Sequence, residues 1–322
     1  MPQDQAPPAG GSRKVIYAAI LANLGIAAAK FVVAAITGSA AMLAEGIHSA
    51  VDTFNELLLL YGRKRATQPP DELHPLGHAR ELYFWGFVVA LVFFTGGAGF
   101  SIYEGIEHIR VPRMLDSPAV NFAVLAIAFA FESASLFFAV REFHRQKEPG
   151  AGWWTALRDS KDPSVFVVMM EDFAALTGLI VAAIFIGLTV VTGNPLWDGV
   201  GSVVIGLLLA AVAMLLATEC KKLLIGERAS IALQQAIEGI AMDAPGVCKI
   251  NEIITTHLGP RQVIVMLSLD FDDELRLHHV EAATERIEAK VRERFPEVFR
   301  LFVRAQSRQA AHAERQVLAD AE

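Results

Sequence analysis

The sequence predicts an α-helical membrane protein with six transmembrane helices, followed by a C-terminal cytoplasmic α+β domain of ferredoxin-like build. Three observations carry that expectation. Hydrophobic residues make up 53% of the chain and its mean hydropathy is +0.40, values out of place in a soluble domain. Six segments reach the roughly 20 apolar residues that a bilayer helix needs: 15–36, 39–61, 82–103, 118–140, 164–191 and 196–218. After Thr218 the composition turns polar, and from residue 226 onward short helical and strand periods replace the long apolar runs.

Basic residues set the expected topology. The loop after the second segment carries Arg63, Lys64, Arg65 and Arg80, and the loop after the fourth carries Arg141, Arg145, Lys147, Arg158 and Lys161. The connections on the other side are GSA, the stretch around Arg110 and Arg113, and a TGNP turn. This asymmetry places the basic loops, and with six spans both termini, in the cytoplasm. Residues 1–12 are polar and rich in Pro and Gly, and read as a flexible tail with no cleavable signal. The expected division is a membrane domain over 13–222, a cytoplasmic domain over 223–305 and a C-terminal tail over 306–322, in a bacterial inner (plasma) membrane.

Within the soluble part, 230–242 has helical periodicity and stops before Pro245-Gly246. Residues 249–257 are rich in β-formers, and His257-Leu258-Gly259-Pro260 reads as a turn. Along 262–271, Val263, Val265, Leu267, Leu269 and Phe271 alternate onto one face of a strand. A charged amphipathic helix over 278–295 and a short strand over 300–303 complete an α-β-β-α-β order. The last 15 or so residues read as a frayed helix or as disordered. The net charge of −7, with no basic patch interleaved with aromatics, argues against a nucleic-acid partner. Cys220 and Cys248 are too few for a disulfide scaffold and read as structural residues in a reducing compartment.

The second segment is the impure one. In AEGIHSAVDTFNE, Glu45, His48, Asp52 and Glu56 project within roughly 80° of one another on a helix. Each unpaired charge there costs several kcal/mol in lipid or core. An imidazole and a carboxylate at i and i+4 can aim at one point, and a dication there would neutralise the buried acids. The alternative is a polar stripe facing a wet cleft or pairing with Lys30 of the first segment. The fifth segment offers a partner, because Glu171 and Asp172 interrupt its apolar run. Neighbours are separated by ~100°, so one ligates while the other pairs or lines an entrance; a helix-end pair reaching the interface is the alternative.

KFVVAAITGSAAMLAEGIHSAVD, the HPLGHARE loop and NPLWDGVGSVVIG closely resemble the cation diffusion facilitator family, over residues 13–305. The Glu171-Asp172 pair in DPSVFVVMMEDFAALTG, preceded by RDSKDPS, is most similar to the zinc transporter 9 branch. The resemblance implies a homodimer that exports Zn²⁺, or a similar divalent cation, from the cytosol across the lipid bilayer in exchange for protons. It implies no resident cofactor, only the transported ion. His48 and Asp52 match the family's ligands on the second helix, and Asp172 matches its acid on the fifth. The position four residues before Asp172, a ligand in zinc-selective members, is Val168 here. Glu171, Glu45 or a water then stands as the fourth ligand, and a set richer in oxygen shifts preference towards Mn²⁺ or Fe²⁺. Protons and metal compete for the same groups, and His48 is of the side-chain type that titrates near neutral pH.

In PPDELHPLGHAR, Asp71, His74 and His78 resemble the family's loop between helices 2 and 3, where some members hold a second metal; from spacing alone they equally fit a solvated helix start. The soluble tail offers His257, His278 and His279, which read as surface residues in a module that serves dimerisation. Lys30 is expected to pair with an acid or snorkel, Asn23 and Glu132 to satisfy one another or face the cleft, and Asp198 to sit as an N-terminal helix acid. Gly96, Gly97 and Gly99 read as close packing or a flexible point. The leading function is a proton-coupled divalent cation antiporter. The alternatives are Mn²⁺ or Fe²⁺ as cargo, or a non-transporting membrane metal sensor or scaffold. An enzyme is not expected, because no HExxH or comparable pairing of ligand and general base occurs.

Overall fold

The computed structural model describes residues 13–115, 117–147, 152 and 161–320; for 13–22, 142, 146, 315 and 318 the description is of backbone only. The expected N-terminal tail and Arg158 lie outside these residues. Six long helices come first: α1 (Arg13–Thr37), α2 (Ala40–Ala66), α3 (81–110), α4 (Pro118–Gln146), α5 (Pro163–Thr192) and α6 (Leu196–Ile225). Then follow α7 (Ile231–Met242), β1 (Val247–Gly259), β2 (Gln262–Phe271), α8 (Leu277–Arg294), β3 (Val298–Ala305) and α9 (Arg308–Ala319).

Local chemistry sets the breaks between helices. Gly38 adopts φ of +69°, a left-handed conformation that ends α1 at little steric cost, and its N–H bonds to Ala34 O at 2.8 Å. Ser39 then caps α2 by accepting from Met42 N–H at 3.1 Å. Pro118 and Pro163 open α4 and α5, where a missing N–H costs nothing. Arg63, Lys64 and Arg65 fill the last turn of α2, complementing the negative end of its dipole.

Helices α3, α4, α5 and α6 are long and apolar enough to cross a membrane. The described side chains of α1 cover a shorter apolar stretch, Asn23–Thr37, and α2 carries Glu45, Asp52 and Glu56 within its apolar length. Large apolar side chains such as Val32, Ile127, Phe138, Ile184 and Leu207 are exposed, as they are on surfaces that hydrocarbon covers. Helix α3 is π-helical over Phe93–Gly99, FFTGGAG. The glycines expected there as packing or flexible points thus sit in a local widening of the helix, a feature frequent near functional sites.

Helices α3 and α6 pack through glycine. A Cβ on Gly105 would meet Gly199 O at 2.7 Å, and one on Gly206 would meet Ile102 N at 2.8 Å. This close approach lets Ser202 Oγ donate across to Ser101 O at 2.8 Å.

The described residues fall into two compact units. One takes in the long helices up to Cys220; the other takes in Ala66–Tyr83 and the chain from Lys221 on. In the second unit the sheet has order β1-β2-β3, with β1 and β2 antiparallel and β2 and β3 parallel. Helix α8 makes the crossover that a parallel pair requires. The alternation expected along β2 is present: Val263, Val265, Leu267 and Leu269 are buried with Ile237, Ile287 and Val291. Helix α9 occupies the tail for which a frayed helix or disorder was expected. Ala79 packs against Leu258, Ile264 and Phe299, so the 66–83 segment docks on the same small sheet.

Candidate functional site

In the membrane unit, α2 presents Ser49, Asp52 and Glu56 to a small cavity that α5 closes with Val168, Glu171 and Asp172. Asn23 and Ile26 of α1 and Glu132 of α4 complete its wall. Its volume of about 20 Å³ is room for one water or one small cation. The α2–α5 pairing that the sequence suggested is therefore a physical cleft between helices.

Each expected residue has a definite place. His48 is fully buried, edge-on to Phe93 at a ring separation of 5.5 Å. Its Nδ1 lies 3.5 Å from Asp52 Oδ1, close enough for an ion pair but without hydrogen-bond geometry. Among the described residues, neither ring nitrogen of His48 nor Asp52 Oδ1 has a hydrogen-bond partner. Buried polar atoms are ordinarily paired, so this imidazole–carboxylate couple at i and i+4 is a donor set lacking its counter-charge. Nitrogen and oxygen donors at this spacing can hold a divalent ion, although His48 itself is not among the residues lining the cavity. Asp172 accepts from Ser135 Oγ at 3.0 Å, which leaves lone pairs on the carboxylate. Glu171 accepts from Asn55 Nδ2 at 2.6 Å. Val168 lines the same cavity one turn before Asp172, where its isopropyl group offers no ligand.

Glu45, expected as a candidate ligand, is engaged elsewhere. Lys30 Nζ lies 3.1 Å from its Oε2 and donates to Ser49 Oγ at 2.7 Å, with both charged side chains fully buried. Its other oxygen, Oε1, sits where a Cβ on Gly178 would come within 2.5 Å, so α5 accommodates the carboxylate by having no side chain there. Asn23 and Glu132, expected to satisfy one another or to face the cleft, both line the cavity, and Asn23 donates to Glu56 Oε1 at 2.9 Å. Glu56 and Glu132 both line the cavity, and neither was singled out as a ligand from sequence. Glu56 lay in plain view as the last member of the α2 stripe. Glu132, a single acid in an apolar run, was expected to face the cleft, but nothing in its spacing marked it as a ligand.

The second expected cluster lies in the 66–83 segment. His74 Nδ1 and His78 Nε2 each lie 3.0 Å from an oxygen of Asp71, and His74 N–H donates to Asp71 Oδ1 at 2.6 Å. Gly77, at φ of +79°, makes the turn that brings the two imidazoles to 4.3 Å between ring centres. One donor atom from each of the three residues lies within 4.8 Å of the others, and among the described residues this is the group with that convergence. The His74 N–H and then His78 hold the Asp71 carboxyl down at about 2. The segment is a loop with converging N and O donors rather than a simple helix start.

In the sheet domain His257, expected at the surface, is instead buried, with Nδ1 3.4 Å from Gly259 O, and burial lowers its pKa. The rings of His278 and His279 lie 4.0 Å apart, tilted at 49° to one another.

The chain matches the description "cation efflux transmembrane domain" over residues 16–225 and "cation efflux protein, cytoplasmic domain" over residues 232–305. It is 35% identical over 263 residues to the proton-coupled zinc antiporter SLC30A9, mitochondrial, of Homo sapiens, covering 81% of this chain and 46% of that protein. It is 30% identical over 290 residues to metal tolerance protein C4 of Arabidopsis thaliana, covering 86% of this chain and 61% of that one. To the cation-efflux pump FieF of Serratia proteamaculans it is 26% identical over 262 residues, covering 81% of each chain. The chain thus spans about half the length of the human relative. With a matched domain running through the six long helices and a second one over the sheet, the chain belongs to the cation diffusion facilitator, or cation efflux, family.

Proposed function

We propose that this chain is a proton-coupled antiporter exporting a divalent cation, zinc, from the cytosol as a homodimer with six spans per protomer. The observation that carries the reading is the cavity that Asp52 shares with Asp172 and Glu171, together with the buried imidazole of His48, whose nitrogens have no hydrogen-bond partner among the described residues and whose Nδ1 lies 3.5 Å from Asp52 Oδ1. His48, Asp52 and Asp172 are the ligands; Glu171, tied to Asn55, or a water completes the set. Ligation requires deprotonated groups, so protons arriving from the far side displace the ion, and their release to the cytosol frees the ligands to be loaded again. Asp71, His74 and His78 form a second site that takes metal from the cytoplasm and passes it on. The human relative is named as a proton-coupled zinc antiporter, which supports both cargo and coupling.

The wider arrangement belongs to the same reading: a membrane domain over 13–222, a dimerising cytoplasmic domain over 223–305 with flanking tails, and both termini cytoplasmic at a bacterial inner membrane. The protein acts as a transporter and not an enzyme, with no cofactor beyond its cargo. A second reading, Mn²⁺ or Fe²⁺ as cargo, is favoured by the cavity itself: Asp52, Glu56, Glu132, Glu171 and Asp172 surround it with oxygen, and Val168 withholds a nitrogen. Flux of Zn²⁺, Mn²⁺, Fe²⁺ and Cd²⁺ into proteoliposomes under an imposed pH gradient decides between them. Saturable, gradient-driven zinc flux is expected, with Mn²⁺ and Fe²⁺ slower. Binding of metal without flux of any of the four, by folded dimer, would make the protein a sensor or scaffold.

A further inference from the structure

The end of the helix bundle built from the first turn of α2, the last turns of α3 and the first turn of α6 holds a separate set of buried polar groups. The Asp198 carboxylate, fully buried on α6, accepts from Ser39 Oγ at 2.7 Å and from Ala40 N–H at 2.5 Å. It therefore caps α2, a role that sequence position alone does not reveal, since the acid was expected to serve its own helix. His108, on α3, places Nε2 3.7 Å from Asp198 Oδ2. The residue is 6% exposed and Nε2 has no hydrogen-bond partner among the described residues.

His108 also lines a cavity of about 580 Å³, whose wall includes Ser39, Tyr103, Glu104, Glu107 and Arg113. Glu107 lies 3.1 Å from Arg110, while Glu104 stands one turn before His108 on the same helical face. A buried imidazole with an unpaired nitrogen, facing a carboxylate at the edge of a partly acidic cavity, calls for a ligand. The gap says which. A shared proton draws N and O to about 2.7–2.9 Å. Two ligands held ~2.0–2.1 Å from a tetrahedral ion stand roughly 3.4 Å apart, much nearer to the spacing here.

We infer that His108 and Asp198 form a second intramembrane station for a divalent cation, completed by water from the adjoining cavity, at the release end of the transport path. Two firm protein ligands make it weak, and weak binding is what a release site needs. Its place on the path rests on the transport reading above, but its occupancy does not.

Cobalt(II) tests it as a spectroscopic probe, using the full-length chain in detergent. The variant His48→Ala/Asp52→Ala/His74→Ala/His78→Ala removes nitrogen ligands from the other two sites. It is expected to keep a weak cobalt d–d absorption band that zinc displaces, and adding His108→Gln is expected to abolish that band. His108→Gln is preferred to a change at Asp198, which would also uncap α2. In otherwise unaltered protein in proteoliposomes, His108→Gln should relieve inhibition of efflux by zinc on the release side while leaving the KM for loading unchanged. Absence of the band from the quadruple variant, or its survival in His108→Gln, would overturn the inference and leave the transport reading intact. Absence of cobalt binding by the unaltered chain would overturn both.

Discussion

Asn55 Nδ2 donates to Glu171 Oε1 at 2.6 Å, joining α2 to α5 beside the cavity. Asn55 lies three residues beyond Asp52, and Glu171 immediately precedes Asp172, so this bond ties together the backbones that carry the two carboxylates proposed as ligands. The neighbouring acids are anchored separately, Glu171 by Asn55 of α2 and Asp172 by Ser135 of α4, and each carboxylate keeps lone pairs. Asn55→Ala leaves a buried carboxylate without its donor, which costs about 1–3 kcal/mol. A lower Tm and reduced flux in that variant are expected; unchanged values of both would mean that the bond does not position the site.

Val168 faces the cavity from the position where a fourth ligand would stand. Val168→His adds a nitrogen donor one turn from Asp172. Tighter zinc binding, slower zinc turnover and sharper rejection of Mn²⁺ are the expected results, read from flux under identical gradients. Cation preference that does not move would place the ion away from this wall.

The loop cluster has its own pH behaviour. Asp71 stays ionised down to about pH 2 because the His74 N–H and the His78 side chain bond to it. Release of metal on acidification therefore runs through the two imidazoles, whose nitrogens must be free of protons to ligate. In His48→Ala/Asp52→Ala protein, zinc binding at the loop should weaken as pH falls, because protons compete with the ion for the imidazole nitrogens. Retention of the ion down to pH 3 would contradict a site built on His74 and His78.

Burial lowers the pKa of His257 in β1 below its ordinary value of about 6.5. The unfolded chain takes up a proton as pH falls through that ordinary value, while the folded domain resists until its own lower pKa is reached. The sheet domain is thus at full stability above neutral pH and loses stability as pH falls from about 6.5. Hydrogen exchange at β1 and β2, corrected for intrinsic rates, should show less protection at pH 5.5 than at pH 7.5, and His257→Gln should flatten the difference. Equal losses in both proteins would remove His257 as the cause.

Glycine at the α3–α6 contact makes a prediction about packing. Gly105→Ala places a methyl group 2.7 Å from Gly199 O and from the Val203 backbone N, so the helices must part, at a cost of about 1–3 kcal/mol. Gly25→Ala, with nothing within 4 Å of its added Cβ, is the control and should leave the Tm unchanged or raise it slightly. Equal behaviour of the two variants would show that α3 and α6 do not depend on this contact.

What was legible in the sequence was what is periodic or local. The α2 stripe follows from helical spacing, and the alternation of β2 and the turn at Gly38 follow from short-range patterns. The pairing of α2 with α5 was readable because acids in apolar runs are costly enough to imply partners. Choices among partners were not readable. Lys30 takes Glu45, and Asn23 takes Glu56 in place of Glu132, because helix rotations set by packing decide which polar atoms meet. Asp198 reaches across to the N-terminus of α2, a contact 158 residues apart that no local motif records. The docking of Ala79 on the sheet is likewise invisible in the sequence, because one alanine in a loop carries no signal.

The central claim is that His48, Asp52 and Asp172 hold a transported ion at the α2–α5 cavity. The measurement that tests it most directly is zinc flux into proteoliposomes under an imposed pH gradient, comparing unaltered protein with Asp52→Ala and Asp172→Ala shown to be folded and dimeric. Saturable flux that vanishes in both variants is the predicted result. Normal flux in either variant would take that carboxylate out of the site and contradict the account.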